Sequence, residues 1–276
     1  MIIDLHTHSS ASDGQYTPAE LIRLAHEKNI VIFSLTDHDT VNGLKEAEKE
    51  AAKYGIRFIP GIEISAQEDE EIHILGYGIN YCDKIILEAC NNFISDRLNR
   101  GERICDFLRN KGIDITMDDI RTISGESNIG RPHFAKYLLN NGYVNNRKEA
   151  FDKYLDTTDF YEATRRKTPT IVQAIDLIHA VGGKAVLAHP ALIHKTDSQL
   201  EEMIKTLKKQ GLDGIECIYS QHSEDQTIYY LGLAERYNLV ISCGSDFHGE
   251  QVKSHVELGM MLDNNKVIKR FIANFL

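Results

Sequence analysis

Residues Met1 to Gly14 read MIIDLHTHSSASDG: a short apolar strand runs into two histidines one residue apart, and then an aspartate. Side chains two apart on a strand share a face. His6 and His8 therefore converge on one point at the C-terminal end of the strand. Two imidazoles so placed make half a shell for a transition metal. The rest of the chain must supply the other half.

Downstream, apolar strands alternate with helices. Thr17-Pro18-Ala19-Glu20 gives a cap, a proline at the first helical position and an acid in the first turn, predicting a helix to about Lys28. Ile30 to Leu35 reads as a buried strand that opens into Thr36-Asp37-His38-Asp39-Thr40, with Thr40 capping a polar helix to Tyr54. Arg57 to Ser65 is the next strand and carries Glu63, and Glu71 to Ile79 carries His73. The acidic turn between those two strands is too short for a parallel crossover, which predicts an antiparallel hairpin. From Tyr81 to Lys167 helical signals dominate, predicting a mostly helical insertion. Alternation then resumes, with strands Lys184 to Leu187, Gly214 to Tyr219 and Leu239 to Cys243, and a last helix over Lys266 to Phe275.

Seven strands with intervening helices predict an α/β fold, barrel-like and one unit short of the eight-fold form. The barrel takes residues 1–80 and 168–276, and the helical insertion takes 81–167 as a lid or substrate subdomain. In such folds chemistry gathers at the C-terminal strand ends. Those ends carry His6 and His8, Asp37 and His38, Glu63, His73, His189, the stretch Tyr219 to His222, and Asp246 with His248. That coincidence favours a site for several metal ions over a set of buried, hydrogen-bonded polar residues.

The bulk composition narrows the setting. A 276-residue chain with 42% apolar residues is long enough for one large domain or a domain with an insertion. A net charge of -10 argues against electrostatic capture of duplex DNA. Five scattered cysteines without a Cys-x-x-Cys pair fit reduced thiols, and no apolar run has the length of a membrane span. A cytoplasmic protein is expected.

The motifs Asp4-Leu-His-Thr-His8, Thr36-Asp-His-Asp-Thr40, Gly61-Ile-Glu63, His73-Ile-Leu-Gly76, Ala188-His-Pro190 and Gly244-Ser-Asp-Phe-His248 resemble those of the PHP (polymerase and histidinol phosphatase) family of metal-dependent phosphoesterases. The segment Ser9 to Gly14, the run Gly130-Arg-Pro-His-Phe-Ala135 and the Gly214-Ile-Glu216 strand look most like one bacterial branch. Its members remove phosphate from 3′,5′-nucleotide bisphosphates, and some trim short RNA from the 5′ end. The resemblance implies a distorted seven-stranded (β/α)7 barrel with two to three divalent ions, Mn²⁺, Fe²⁺ or Zn²⁺. It implies His6, His8, Glu63 and Asp246 on one ion, Glu63, His73 and His189 on a second, and Asp13, His38 and His248 on a third.

Six imidazoles and three carboxylates leave such a cluster strongly positive, which suits a phosphate monoester dianion. Divalent ions also acidify water to a hydroxide nucleophile near neutral pH. Arg131 is a candidate two-pronged phosphate clamp, with His133 as a further phosphate or leaving-group contact. Arg165, Arg166 and Lys167 are candidates for a second phosphate, although a solvated basic run reads the same way. Tyr219, Ser220 and His222 are candidate substrate contacts, and His222 is a candidate proton donor to the leaving oxygen. Asp37 and Asp39 are expected to orient ligand histidines. Asp4 and Glu216 are left as either outer supports or ordinary polar residues.

The expected substrate is a small phosphorylated nucleotide or short RNA. Histidinol phosphate is the alternative; against it, Asp13 stands where that branch would have a histidine. A non-catalytic metal-binding module is the alternative from another class.

Overall fold

In the computed structural model, residues 1–124, 129–165 and 167–262 are described. Arg166 and the helix expected over Lys266 to Phe275 lie outside them. The chain divides into two compact units, one of residues 1–90 with the described residues from Pro169 onward, and one of Asn91–Thr168. The first junction falls inside a long helix rather than before it.

The first unit is α/β with two mixed sheets. One has the order β3-β2-β1-β9 and the other β4-β5-β6-β7-β8. The strands are β1 (Ile2–Asp4), β2 (Ile30–Phe33), β3 (Arg57–Phe58), β4 (Gly61–Gln67), β5 (Glu71–Tyr77), β6 (Lys184–Leu187), β7 (Gly214–Tyr219), β8 (Val240–Gly244) and β9 (Met260–Met261). Three of these, β3, β4 and β9, depart from the sequence reading. The strand expected over Arg57 to Ser65 is split around Pro60, whose missing N–H breaks the ladder, and the two-residue β9 pairs antiparallel with β1. The β4–β5 pair is antiparallel, as its short turn requires, and β5 pairs antiparallel with β6.

Two isolated parallel bridges, Thr7 with Phe247 and His38 with Glu63, connect the sheets. Continuous ladders do not close a barrel among the described residues. The core of this unit is mostly aliphatic, with Ile3, Leu5, Ile62, Ile64 and Ile215 fully buried beside Phe33.

Capping chemistry sets most helix starts. Thr17 with Glu20, Thr170 with Gln173, Thr196 with Gln199 and Ser223 with Gln226 each form reciprocal capping boxes. They open α1 (Pro18–Glu27), α8 (Ile171–Ala180), α9 (Asp197–Lys209) and α10 (Glu224–Arg236). Thr40 does not cap α2 (Leu44–Tyr54). Its hydroxyl instead accepts the Asn42 N–H at 3.2 Å, and Gly43 takes the cap position. No helix among the described residues is long and apolar enough to cross a membrane.

The second unit is helical. The helix α3 (Lys84–Asn110) runs into it and is followed by α4 (Met117–Ser124), α5 (Arg131–Asn140), α6 (Arg147–Ala150) and α7 (Thr158–Ala163). α6 passes directly into a π-helical turn at Phe151–Leu155. Leu108, Ile120, Phe134, Leu138 and Phe160 form its own dry centre, with Phe107 edge-on to Phe160 at 5.4 Å.

Candidate metal centre

β1 ends at Asp4, so His6 and His8 lie just beyond it in extended chain that the Thr7–Phe247 bridge holds in place. Their rings are 5.3 Å apart. His38 follows β2 and is fixed by its bridge to Glu63; the Glu63 N–H donates to the Asp37 carbonyl at 3.2 Å and the Asp39 N–H to the Glu63 carbonyl at 2.8 Å. Glu63 sits inside β4, and His73 lies near the start of β5 rather than at its end. The reason is the strand direction. A strand that runs opposite to both neighbours begins where they finish, and the Ala188 N–H reaches the His73 carbonyl at 3.1 Å, beside His189. Asp246 and His248 follow β8, with the Asp246 N–H donating to the His6 carbonyl at 2.7 Å.

Glu63 is the hub. Its Oε1 lies 2.9 Å from His73 Nδ1, 3.1 Å from His189 Nε2 and 3.3 Å from His6 Nε2. Its Oε2 lies 2.9 Å from His38 Nδ1 and 3.2 Å from His8 Nε2. Burial raises the acidity threshold of this carboxyl, but His38, His73 and His6 outweigh burial and hold it well below the usual carboxylate range. Four groups of donor atoms converge: His8, Asp13, His38 and His248; His6, Glu63 and His189; His6, His8 and Asp246; and His38, Glu63 and His73. All nine expected ligands fall in these groups. The sets differ in detail from the expected ones, because His8 also faces Asp13, and His38 also faces Glu63 and His73.

Divalent ions fit this arrangement. His6 Nε2, both ring nitrogens of His8, His38 Nδ1 and Glu63 Oε2 are buried without a hydrogen bond, although opposite groups lie close by. Buried polar atoms rarely go unpaired. Lone pairs that approach one another without aligning suit ligation to a shared ion.

An outer layer holds the ligands. Glu216, left open by the sequence, is fully buried; its Oε1 lies 3.0 Å from His6 Nδ1, and its Oε2 accepts the His189 N–H at 2.7 Å. The signal for it was a carboxylate within the otherwise apolar β7. Asp4 accepts the Ser245 N–H at 2.9 Å, the Ser245 hydroxyl at 2.6 Å and the Gly259 N–H at 2.8 Å, and burial pushes its carboxyl up to about 6. Asp37, expected to orient a ligand histidine, makes no hydrogen bond to a histidine ring among the described residues. Asp37 accepts from the Ser9 N–H, the Ser9 hydroxyl and the Ser12 hydroxyl, fastening the loop that carries Asp13, and Asp39 accepts the Ser65 N–H at 2.9 Å. Lys253, which nothing in the sequence pointed to, donates to Asp246 Oδ2 at 2.7 Å.

The Tyr219 hydroxyl donates to Asp246 Oδ2 at 3.0 Å, and the Ser220 hydroxyl donates to the Ser245 carbonyl at 2.7 Å. His222 packs between Tyr219 and Tyr230, at ring separations of 5.1 and 4.8 Å. Its Nδ1 lies 3.2 Å from the Cys217 carbonyl, and burial lowers its basicity. In the second unit, Arg131 donates to Asp156 Oδ1 at 3.1 Å and to the Tyr161 hydroxyl at 2.5 Å, and the Gly130 N–H donates to His133 Nδ1 at 3.1 Å. Arg165 and Lys167 are exposed; the Arg165 carbonyl accepts from Arg103, and the Lys167 N–H donates to Asp96.

An α/β frame that gathers six imidazoles and three carboxylates at one place has the equipment of a metal-dependent hydrolase. The PHP domain model matches residues 4–273, and the chain belongs to that family. It is 35% identical over 263 residues to a 5′-3′ exoribonuclease of Haemophilus influenzae, covering 94% of each chain. It is 34% identical over 248 residues to a 3′,5′-nucleoside bisphosphate phosphatase of Chromobacterium violaceum, covering 89% of this chain and 87% of that one. A solved structure described as an amidohydrolase from Chromobacterium violaceum, with bound sulfate and no metal, superposes with a TM-score of 0.80 at 31% identity, over 97% of this chain and 96% of that one. The chain is thus an enzyme, a metal-dependent phosphoesterase that hydrolyses phosphoric esters.

Proposed function

We propose that the enzyme removes the 3′-phosphate from nucleoside 3′,5′-bisphosphates, with two to three divalent ions (Mn²⁺, Fe²⁺ or Zn²⁺) held by His6, His8, Asp13, His38, Glu63, His73, His189, Asp246 and His248. The observation that carries the proposal is the convergence of those side chains with several donor atoms unpaired. The end-to-end similarity to a bisphosphate phosphatase directs it to nucleotides. Trimming of short RNA from the 5′ end is the second reading, favoured by the similarity to an exoribonuclease. Histidinol phosphate is not favoured, since these relatives are named for nucleotide and RNA substrates. The distorted seven-stranded barrel belongs to the same reading and leans on the two bridges between the sheets.

Bound divalent ions supply Lewis acidity, an acidified water and counter-charge for a phosphate dianion. The protein's part is to fix the ligands before substrate arrives. Glu216 sets the His6 ring, since a carboxylate on Nδ1 makes that nitrogen the N–H and leaves the Nε2 lone pair toward Glu63 and Asp246. His222 fits a different role from the proton donor expected of it. Its Nδ1 must carry the proton to meet the Cys217 carbonyl, and burial keeps the ring neutral, so its Nε2 is an acceptor. It suits a substrate hydroxyl or a water. Arg131, His133, Arg165, Arg166 and Lys167 are proposed to hold phosphate oxygens, Arg131 by exchanging Asp156 for substrate.

The test compares adenosine 3′,5′-bisphosphate, histidinol phosphate and a short 5′-phosphorylated RNA under added Mn²⁺. Turnover of histidinol phosphate alone would sink the nucleotide reading.

A further inference from the structure

Asp246 uses its two oxygens differently. Oδ1 faces the cluster, 3.3 Å from His8 Nε2, 3.4 Å from His248 Nδ1 and 3.6 Å from His6 Nε2. Oδ2 receives the Lys253 ammonium at 2.7 Å and the Tyr219 hydroxyl at 3.0 Å. The carboxylate is buried, on a residue whose backbone φ of 60° is one that side chains other than glycine seldom adopt. Lys253 is brought there by a turn tied to the loop that carries Asp13. The Lys253 N–H donates to the Gly249 carbonyl at 2.9 Å, the Gln251 N–H to Gln15 Oε1 at 2.9 Å, and the Gln15 N–H to the His248 carbonyl at 2.7 Å.

We infer that Lys253 is a positioning residue for the metal cluster, restricting Asp246 to single-oxygen ligation through Oδ1 and withdrawing charge from that carboxylate. The inference rests on the metal reading of the nine side chains. Two donors on Oδ2 compete with any ion for that oxygen, so ligation through both oxygens requires breaking them. A fixed ammonium beside a ligand also repels a divalent cation, and the repulsion is strong where one partner is nearly dry. Lys253 therefore weakens the hold on the ion and leaves more positive charge uncompensated for an anionic phosphate. An ordinary surface ion pair would show neither a buried acid nor a carboxylate already facing three imidazoles.

The test measures Mn²⁺ affinity of the full chain by competition with a fluorescent chelator, beside the melting temperature of the EDTA-treated protein. Lys253→Met, which removes the repelling charge, should bind Mn²⁺ more tightly by a factor on the order of ten. Lys253→Arg keeps the charge and should match the natural chain. Lys253→Met binding with equal or weaker affinity overturns the inference. If Lys253→Met fails to fold, Lys253→Gln carries the same test: tighter binding supports a charge effect, and equal or weaker binding overturns it. A natural chain that binds no Mn²⁺ overturns the cluster reading and this inference with it. Binding by the natural chain that no variant changes overturns the inference alone.

Discussion

His6 Nδ1 lies 3.0 Å from Glu216 Oε1 with neither side chain exposed, and the other oxygen of Glu216 receives the His189 amide at 2.7 Å. One carboxylate thus sets two candidate ligands that are far apart in sequence. Glu216→Gln keeps the volume but offers one acceptor oxygen where two are used. Mn²⁺ affinity is expected to fall by roughly ten- to a hundred-fold, as read by chelator competition. Unchanged affinity would mean that packing alone orients His6.

Gly244 lets that contact form. A Cβ there would stand 2.2 Å from His6 Cβ, 2.7 Å from the His6 nitrogen and 2.9 Å from Glu216 Oε1. Because backbone is among the obstructing atoms, β8 and the His6 segment must move apart. Gly244→Ala should cost about 1–3 kcal/mol of stability in chemical denaturation and lose most activity. A fully active variant with natural stability would show that this approach is not required.

Metal and pH should act in opposite directions on stability. In the metal-free protein, burial disfavours the charged rings of His8 and His73, but nearby carboxylates, Glu63 for both and Asp246 for His8, outweigh it and raise them from 6.5 to about 9 and about 10. The folded state then binds these protons more tightly than the unfolded state. Their stabilisation is complete below pH 6.5 and is lost as pH rises toward 9 and 10. Ion binding needs unprotonated imidazole and strengthens over the same window. The gap in melting temperature between Mn²⁺-loaded and EDTA-treated protein should therefore widen from about pH 6 to about pH 9. A gap that narrows would contradict the ligand role of these histidines.

Much of the site was legible because ligands need chemistry that sequence displays. His6 and His8 one residue apart, and Asp246 and His248 likewise, stand at the ends of apolar runs. The placement of His73 was less direct, since it depends on β5 running backward, and only the shortness of the preceding turn hinted at that. Glu216 was visible as a lone acid in an apolar strand, but its partner is 210 residues away in sequence. Lys253 had no signal at all, because its role comes from a turn fastened to Gln15. Among helices, the cap at Thr17 with Pro18 and Glu20 marked α1 to within a residue. Thr40 misled because its hydroxyl closes a local turn before α2, a competition common for threonine near helix starts.

Arg131 carries the proposal for phosphate binding by the second unit. It is held by Asp156 and Tyr161, and its guanidinium lies 5.5 Å from the Tyr161 ring centre. Arg131→Ala should raise KM for adenosine 3′,5′-bisphosphate about tenfold or more, with a smaller effect on kcat. An unchanged KM would remove it from substrate binding.

The central proposal concerns which ester bond is broken. Adenosine 3′,5′-bisphosphate incubated with the Mn²⁺-loaded enzyme and resolved by chromatography should give adenosine 5′-monophosphate and inorganic phosphate in equal amounts, with no product when EDTA is present. Adenosine 3′-monophosphate as the product, or undiminished turnover in EDTA, would contradict metal-dependent removal of the 3′-phosphate.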